Sequence, residues 1–234
     1  MLPLFRNIRK DLIGNNQVIK YLKYAVGEIV LVVVGILIAI SINNQKDASD
    51  RKDDEIELYK DIITELSEDL KDIRENAQHN DFYLNRYRKA TEIIISDKNR
   101  EKKDTLATIA TELTQFSDFK NERPIYDRLF TSGEQNLISD TQILTDLKGL
   151  AISYNYTHRL ERNQQDFMYA VVPKIADYIR FNPPQIMDLD GLYSYRFQND
   201  IEVLIFIMEE KKVLYANVED QLNQILSKLE AKLE

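Results

Sequence analysis

The chain has no cysteine and no tryptophan, and its 234 residues include only 6 glycines and 5 prolines. Without cysteine there is no disulfide, no thiolate nucleophile and no Cys-based zinc site, and the redox state of the compartment stays open. No glycine or proline lies between Gly35 and Pro124. Sheets and tight turns lean on those two residues, so so long a run without them points to long helices. The length fits one domain, or one domain with an appendage.

Charge is spread unevenly under a formal net value of −8. Arg6, Arg9, Lys10, Lys20 and Lys23 face a single acid, Asp11, before residue 24, whereas residues 43–234 hold a large acidic excess. A split of this kind across an apolar stretch marks a protein that faces two compartments. The stretch is YAVGEIVLVVVGILIAISINN, residues 24–44. As a helix, residues 24–42 span roughly 28 Å, close to the ~30 Å hydrocarbon core of a bilayer. After Glu28 the stretch has no polar face, as a soluble core helix would have. A transmembrane helix is expected.

Positive residues precede this segment, and Asp47, Asp50, Asp53, Asp54, Glu55 and Glu57 follow it. The positive-inside rule then places the N-terminus in the cytoplasm and the larger part outside. Lys23 reaches the cytoplasmic interface by snorkelling. The rival reading is a cleaved signal peptide, with Ala39-Ile40-Ser41 as a small-x-small site. The 23 preceding residues are long for the basic region of such a peptide. They also carry Leu4, Phe5, Ile8, Leu12 and Ile13 at amphipathic helical spacing, which suits the inner leaflet. The expected layout is an uncleaved signal anchor. Residues 1–23 form a short basic cytoplasmic segment, 24–42 the transmembrane helix and 43–234 an extracytoplasmic helical bundle.

Glu28 sits about 6 Å inside the cytoplasmic end of that helix. One reading is a snorkelling or protonated carboxyl near Tyr24. The other starts from Gly27, Leu31, Gly35 and Ala39, which recur every fourth residue. Gly35 and Ala39 make a small-xxx-small pair that lets a second helix approach closely. Gly27, Glu28, Leu31, Gly35 and Ala39 are therefore the candidate helix-contact face.

Beyond the span, Ile56, Tyr59, Ile63, Leu66, Leu70, Ile73 and Ala77 form an a/d heptad stripe, typical of a coiled coil. With a slip near Asn80 it continues through Leu84, Tyr87 and Ile94. The expectation is one helix over 47–96, the alternative a hairpin at His79, Asn80 and Asp81. A polar loop over 96–104 leads to an amphipathic helix over 105–119. Pro124 opens a short helical turn that Ser132 and Gly133 close. Asp140 or Thr141 caps a long helix bearing Ile143, Leu147, Leu150, Ala151, Tyr154, Phe167, Met168 and Val172. Pro173 should kink it, and Asn182, Pro183 and Pro184 should end it. A connector over 185–197 precedes a last helix capped by Asn199 or Asp200. Its stripe is Ile201, Leu204, Met208, Tyr215, Val218, Leu222, Ile225 and Leu229. No strand pattern competes. The fold class is all-α: an N-terminal transmembrane helix followed by an elongated antiparallel helical bundle.

Few residues suggest chemistry. His79 and His158 lack partners at zinc-ligand spacing, and Asp188, Asp190 and Gly191 fail the calcium-loop pattern at its first and twelfth positions. No nucleophile elbow, P-loop or dinucleotide fingerprint occurs. Tyr154, Tyr156, Phe167 and Tyr169 fit a core or an interface, with a ligand cage as the alternative. No cofactor is expected, and the acidic exterior argues against a nucleic-acid partner.

Three segments carry a resemblance: FRNIRKDLI (residues 5–13), KYLKYAVGEIVLVVVGILIAISINN (20–44) and YDRLFTSGEQNLI (126–138). Together they resemble an uncharacterised single-pass membrane protein family frequent in Bacteroidota, domain-of-unknown-function family 6090. Gln45 stands where that family usually has tryptophan, and the motif around Ser132 and Gly133 is lengthened or shifted. The resemblance implies an inner-membrane anchor with a helical extracytoplasmic domain, and Gly27-Glu28 falls on the family's G-E pair. It implies no activity. The functional expectation is a non-enzymatic, membrane-anchored scaffold or accessory subunit. Its partners are the lipid bilayer and another membrane protein or a second copy. The alternative is an extracytoplasmic ligand sensor acting through a partner.

Overall fold

The structure, a computed structural model, describes residues 18–119 and 124–233. The expected amphipathic segment, with Leu4, Phe5, Ile8, Leu12 and Ile13, lies outside the described residues. The chain divides into two units, Met1–Asp54 and Glu55–Glu234. Helix α1 (Val18–Ser96) contributes to both. In the first unit its apolar side chains are exposed, among them Val26, Ile29, Leu31, Ile36, Ile38 and Ile42. Just past the apolar stretch, Asn43 Nδ2 donates to Asp47 Oδ2 at 3.0 Å, a one-turn pair on the helix surface.

The second unit is an all-α bundle. α1 passes through His79, Asn80 and Asp81 without a break, so the single helix holds and the hairpin does not. No slip is needed either. Ile73, Ala77, Asn80, Leu84 and Tyr87 keep the three–four alternation, and Asn80 is buried at its place in the stripe. The helix ends at Ser96. The Asp97 carboxylate accepts the Glu101 and Lys102 amides at 3.1 and 2.7 Å, and Tyr193 Oη at 2.7 Å. This side chain shapes the loop into α2 (Lys103–Glu112).

α2 stops seven residues before the expected end at Phe119. Two effects end it. Tyr87 Oη, from α1, donates to the Glu112 carbonyl at 2.7 Å, with the Gln115 carbonyl at 3.3 Å. The Thr108, Thr111 and Thr114 hydroxyls bond back to carbonyls three or four residues earlier, competing with the helical ladder. Residues 113–119 then cross the bundle outside any helix, burying Leu113, Ser117 and Phe119. α3 (Pro124–Thr131) follows, and Gly133 at φ +89° leads into a 3₁₀ turn at Glu134–Leu137.

Asp140 caps α4 (Thr141–Tyr178), as expected: its carboxylate accepts the amides of Gln142 at 2.9 Å and Ile143 at 3.4 Å. Pro173 lies inside α4, which continues to Tyr178. The helix ends before the prolines, because Ile179 turns extended and starts a two-stranded ladder absent from the sequence expectation. β1 (Ile179–Phe181) pairs antiparallel with β2 (Pro184–Ile186), Ile179 opposite Ile186. The connector also holds a four-residue helix, α5 (Leu189–Leu192). There a Cβ on Gly191 would lie 2.5 Å from the Tyr178 ring, so the close approach needs glycine. α6 (Tyr195–Leu233) begins before the expected cap at Asn199 or Asp200, since Ser194 Oγ accepts the Phe197 amide at 3.2 Å. Asp200, expected as a cap, instead pairs with Lys174 at 2.7 Å.

α4 and α6 run antiparallel. Lys174 meets Asp200, Gln164 meets Lys211, Asp146 meets Lys228 and Asp140 meets Lys232. α6 is antiparallel to α1 as well, through Arg88–Glu209, Asp81–Lys212 and Arg74–Glu219. All of these contacts report register; the ion pairs among them lie at the surface and contribute little energy, whereas Gln164–Lys211 is buried. The heptad stripes are buried within the chain. Two apolar clusters form the core. One runs from Leu58 to Ile73 on α1, Ile143 to Leu160 on α4 and Leu214 to Leu229 on α6. The other joins Leu84, Tyr87 and Ile93 to α2, the C-terminal part of α4 and the N-terminal part of α6.

Candidate helix-contact face and buried polar layer

The predicted contact face lies on the first unit's part of α1. Four-residue spacing brings Gly27, Leu31, Gly35 and Ala39 to one side, with Glu28 beside them. Leu31 is 73% exposed, and a Cβ added at Gly27 or Gly35 would meet nothing within 4 Å. Glu28 is half-buried. Among the described residues one helix, containing this segment, is long and apolar enough to cross a membrane, and none of its apolar window is buried.

The second unit holds a site that the sequence reading missed. Between the two apolar clusters lies a polar layer to which every long helix contributes. Asn80 comes from α1, Ser117 from the crossing segment, Glu161 and Gln164 from α4, and Lys211 with Tyr215 from α6; none is more than 4% exposed. Lys211 Nζ donates to Ser117 Oγ at 2.6 Å, Gln164 Oε1 at 2.8 Å and the Ser117 carbonyl at 3.2 Å. Tyr215 Oη donates to Glu161 Oε1 at 2.5 Å, which leaves the 2.9 Å contact with Ser117 to be donated by the serine. A directed chain of hydrogen bonds therefore runs from Lys211 through Ser117 and Tyr215 to Glu161. Such chains polarise their members and strengthen one another. Glu161 Oε1 also accepts the Phe119 amide at 3.0 Å, and Asn76 Oδ1 accepts the Asp118 amide at 3.1 Å.

Burial pushes the Lys211 ammonium down to about 8, against the upward pull of Glu161 and Asp118. Burial and the Glu161 carboxylate push the Tyr215 phenol well up. His79 is held below the ordinary histidine value, by burial first and then by Lys211. Asn80 Nδ2 donates to the Met208 carbonyl at 2.9 Å, while Asn80 Oδ1, Glu161 Oε2 and Gln164 Nε2 are buried without a hydrogen bond. His158 Nδ1 stands 3.5 Å from Glu161 Oε2, and its ring stacks on Phe119 at 5.6 Å between centroids.

A signal for this layer existed. The stripe on α6 skips from Met208 to Tyr215, and Lys211 fills the missing heptad position. Glu161 and Gln164 fill the same kind of gap between Tyr154 and Met168 on α4. A polar residue at an a/d position is the mark of a buried polar layer.

The four aromatics considered as a cage do not gather. Tyr154 is buried and donates to Asp69 Oδ2 at 2.7 Å. Tyr156, with the Arg159 guanidinium 4.6 Å over its ring, lines an open groove of about 620 Å³ between α4 and α6. Tyr169 is 66% exposed elsewhere on α4. Among the described residues no three His, Asp or Glu side chains gather as a metal site would require.

The class is thus an all-α bundle whose first helix carries a segment fit for a membrane. The chain belongs to a family of unknown function, DUF6090, whose model matches residues 28–166. The match takes in Glu28, the crossing segment and both α4 members of the polar layer. No curated protein and no solved structure matches the chain.

Proposed function

We propose that this protein is a non-enzymatic, single-pass scaffold or accessory subunit of the inner membrane, of the kind the family resemblance places in Bacteroidota. Residues 1–23 stay in the cytoplasm, residues 24–42 act as an uncleaved signal anchor, and the helical bundle stands in the periplasm. One observation carries the reading. Among the described residues none of the apolar window of α1 is buried, so its exposed side chains need another apolar environment. The basic-before, acidic-after charge pattern supports the orientation. In the bundle, the buried polar groups are tied to one another and to backbone across three helices, an arrangement suited to holding a shape.

The absence of native cysteine makes the test direct. Single cysteines at Lys10 and at Asp50 are introduced separately and exposed, in intact spheroplasts, to a membrane-impermeant maleimide. Labelling at Asp50 alone is expected. Labelling at both, or at Lys10 alone, would reject the orientation. Mass measurement of the membrane-bound chain checks the anchor: loss of residues 1–41 would mean a cleaved signal.

A further inference from the structure

We propose that residues 113–119 are a releasable strap over the buried polar layer, and that its opening takes up a proton at Lys211. The argument begins with cover. Ser117 supplies two of the three acceptors of the Lys211 ammonium, and the Phe119 amide bonds to the buried Glu161 carboxylate. The strap's backbone is also tied by the Asp118 amide on Asn76, by the Gln115 carbonyl facing Tyr87 Oη, and by the Leu113 and Gln115 amides on the Ala110 and Glu112 carbonyls at the end of α2. Lifting this segment removes Ser117 from the Lys211–Ser117–Tyr215–Glu161 chain, breaking its first two links, and lets water reach both charges.

Closing the strap therefore removes an ammonium from water, and burial of a cation favours its neutral form. With the strap shut, the lysine titrates near 8; in water an ordinary lysine titrates near 10.5. The open form thus holds its proton more tightly. Between those two values a falling pH favours opening and a rising pH favours closure. The charged and titratable groups facing Lys211 are His79 from α1, Asp118 from the strap, Glu161 from α4 and, on its own helix, Tyr215 with its ring centroid 5.6 Å away. His79, held below the ordinary histidine value by burial and then by Lys211, stays neutral between pH 7.5 and 9.5 and adds nothing there. The device confines proton sensitivity to one segment, the one that leads from α2 towards α3; opening also withdraws Phe119 from one apolar cluster and Leu113 from the other, a cost that favours the closed form.

The test is amide hydrogen exchange on the full chain in detergent, corrected for the intrinsic rate at each pH. The amides followed are Asp118 and Phe119, with Val218 and Leu222 in the middle of α6 as an internal reference. Protection of the strap amides relative to the reference is expected to rise on the order of twentyfold between pH 7.5 and 9.5, given a tenfold change per unit while one form titrates. A Lys211→Met, Glu161→Gln double variant removes both buried charges while keeping an acceptor for the Phe119 amide. It should show no such rise. A Lys212→Met variant, altering the exposed neighbour that pairs with Asp81, should behave as the wild type. A flat wild-type profile, or the same rise in the double variant, overturns the proposal. Thermal unfolding of each variant at pH 7.5 confirms that it is folded.

Discussion

Lys211 and Glu161, the opposite charges of the buried polar layer, are joined through the hydroxyls of Ser117 and Tyr215 rather than by a direct ion pair. Each charge is compensated partly by the other and partly by neutral donors and acceptors. Removing one leaves the other without its counter-charge in a desolvated site. Lys211→Met alone is expected to lower the stability of the bundle by about 3 kcal/mol at pH 7, the lower end of what breaking a buried charged pair costs. Adding Glu161→Gln should recover much of that loss, because the second buried charge is then gone as well. Urea unfolding followed by circular dichroism measures both. A double variant less stable than the single one would show that the two residues do not share this compensation.

The heptad alternation made the long helices legible. Ile56 to Ala77, Ile143 to Tyr154 and Ile201 to Leu229 all read as stripes and are mostly buried. The cap at Asp140 was legible too, because an N-cap acts within three residues. What escaped depended on contacts far along the chain. α2 was expected to reach Phe119, yet its end is set partly by Tyr87, 25 residues from Glu112. The start of α6 was misplaced because Ser194 is an equally good cap that no apolar residue singles out. The polar layer was passed over since a stripe is found by its apolar members, and a gap at Lys211 looks like noise until its neighbours at 161 and 164 face it. The slip expected at Asn80 has the same origin: a polar residue in the stripe reads as a break, yet Asn80 is buried in register.

Glu55 sits where α1 enters the bundle, and its side chain reaches the start of α4. Burial pushes its carboxyl up. Hydrogen bonds from Tyr59 Oη at 2.6 Å, the Ser139 amide at 2.6 Å and Ser139 Oγ at 2.8 Å outweigh that effect and hold it below the usual glutamate value. A carboxyl lowered in the folded state contributes stability above its unfolded value of 4.5, and this is lost as pH falls through the folded value. The melting temperature of the wild type should therefore fall between pH 5 and pH 3. Glu55→Gln should melt lower than the wild type at pH 6 and show a smaller drop on acidification. An identical drop in both would assign the acid sensitivity to other carboxylates.

The face carrying Gly27, Glu28, Leu31, Gly35 and Ala39 is expected to bind another helix within the bilayer, Glu28 lying in the cytoplasmic half. Among the described residues nothing lies within 4 Å of a Cβ added at Gly27 or Gly35. A larger side chain at Gly35 therefore meets no obstacle among them, and loss of association is expected to trace to an approaching partner. Gly35→Leu should block that approach and weaken association most. Glu28→Gln should weaken it less, because the amide still forms hydrogen bonds, which contribute roughly 0.6–2 kcal/mol between helices in membranes. Glu28→Leu should improve insertion, since a carboxylate inside the bilayer costs up to about 3 kcal/mol relative to an apolar residue, and should weaken association at the same time. That opposite movement separates a contact from a snorkelling side chain, for which insertion would change and association would not. A photo-crosslinking residue at Leu31, 73% exposed in the chain alone, reads out association directly in native membranes. The expected order of protein crosslinking is wild type, then Glu28→Gln, then Glu28→Leu, then Gly35→Leu. Equal yields across the four would leave Glu28 snorkelling to the interface and the glycines without a partner to admit.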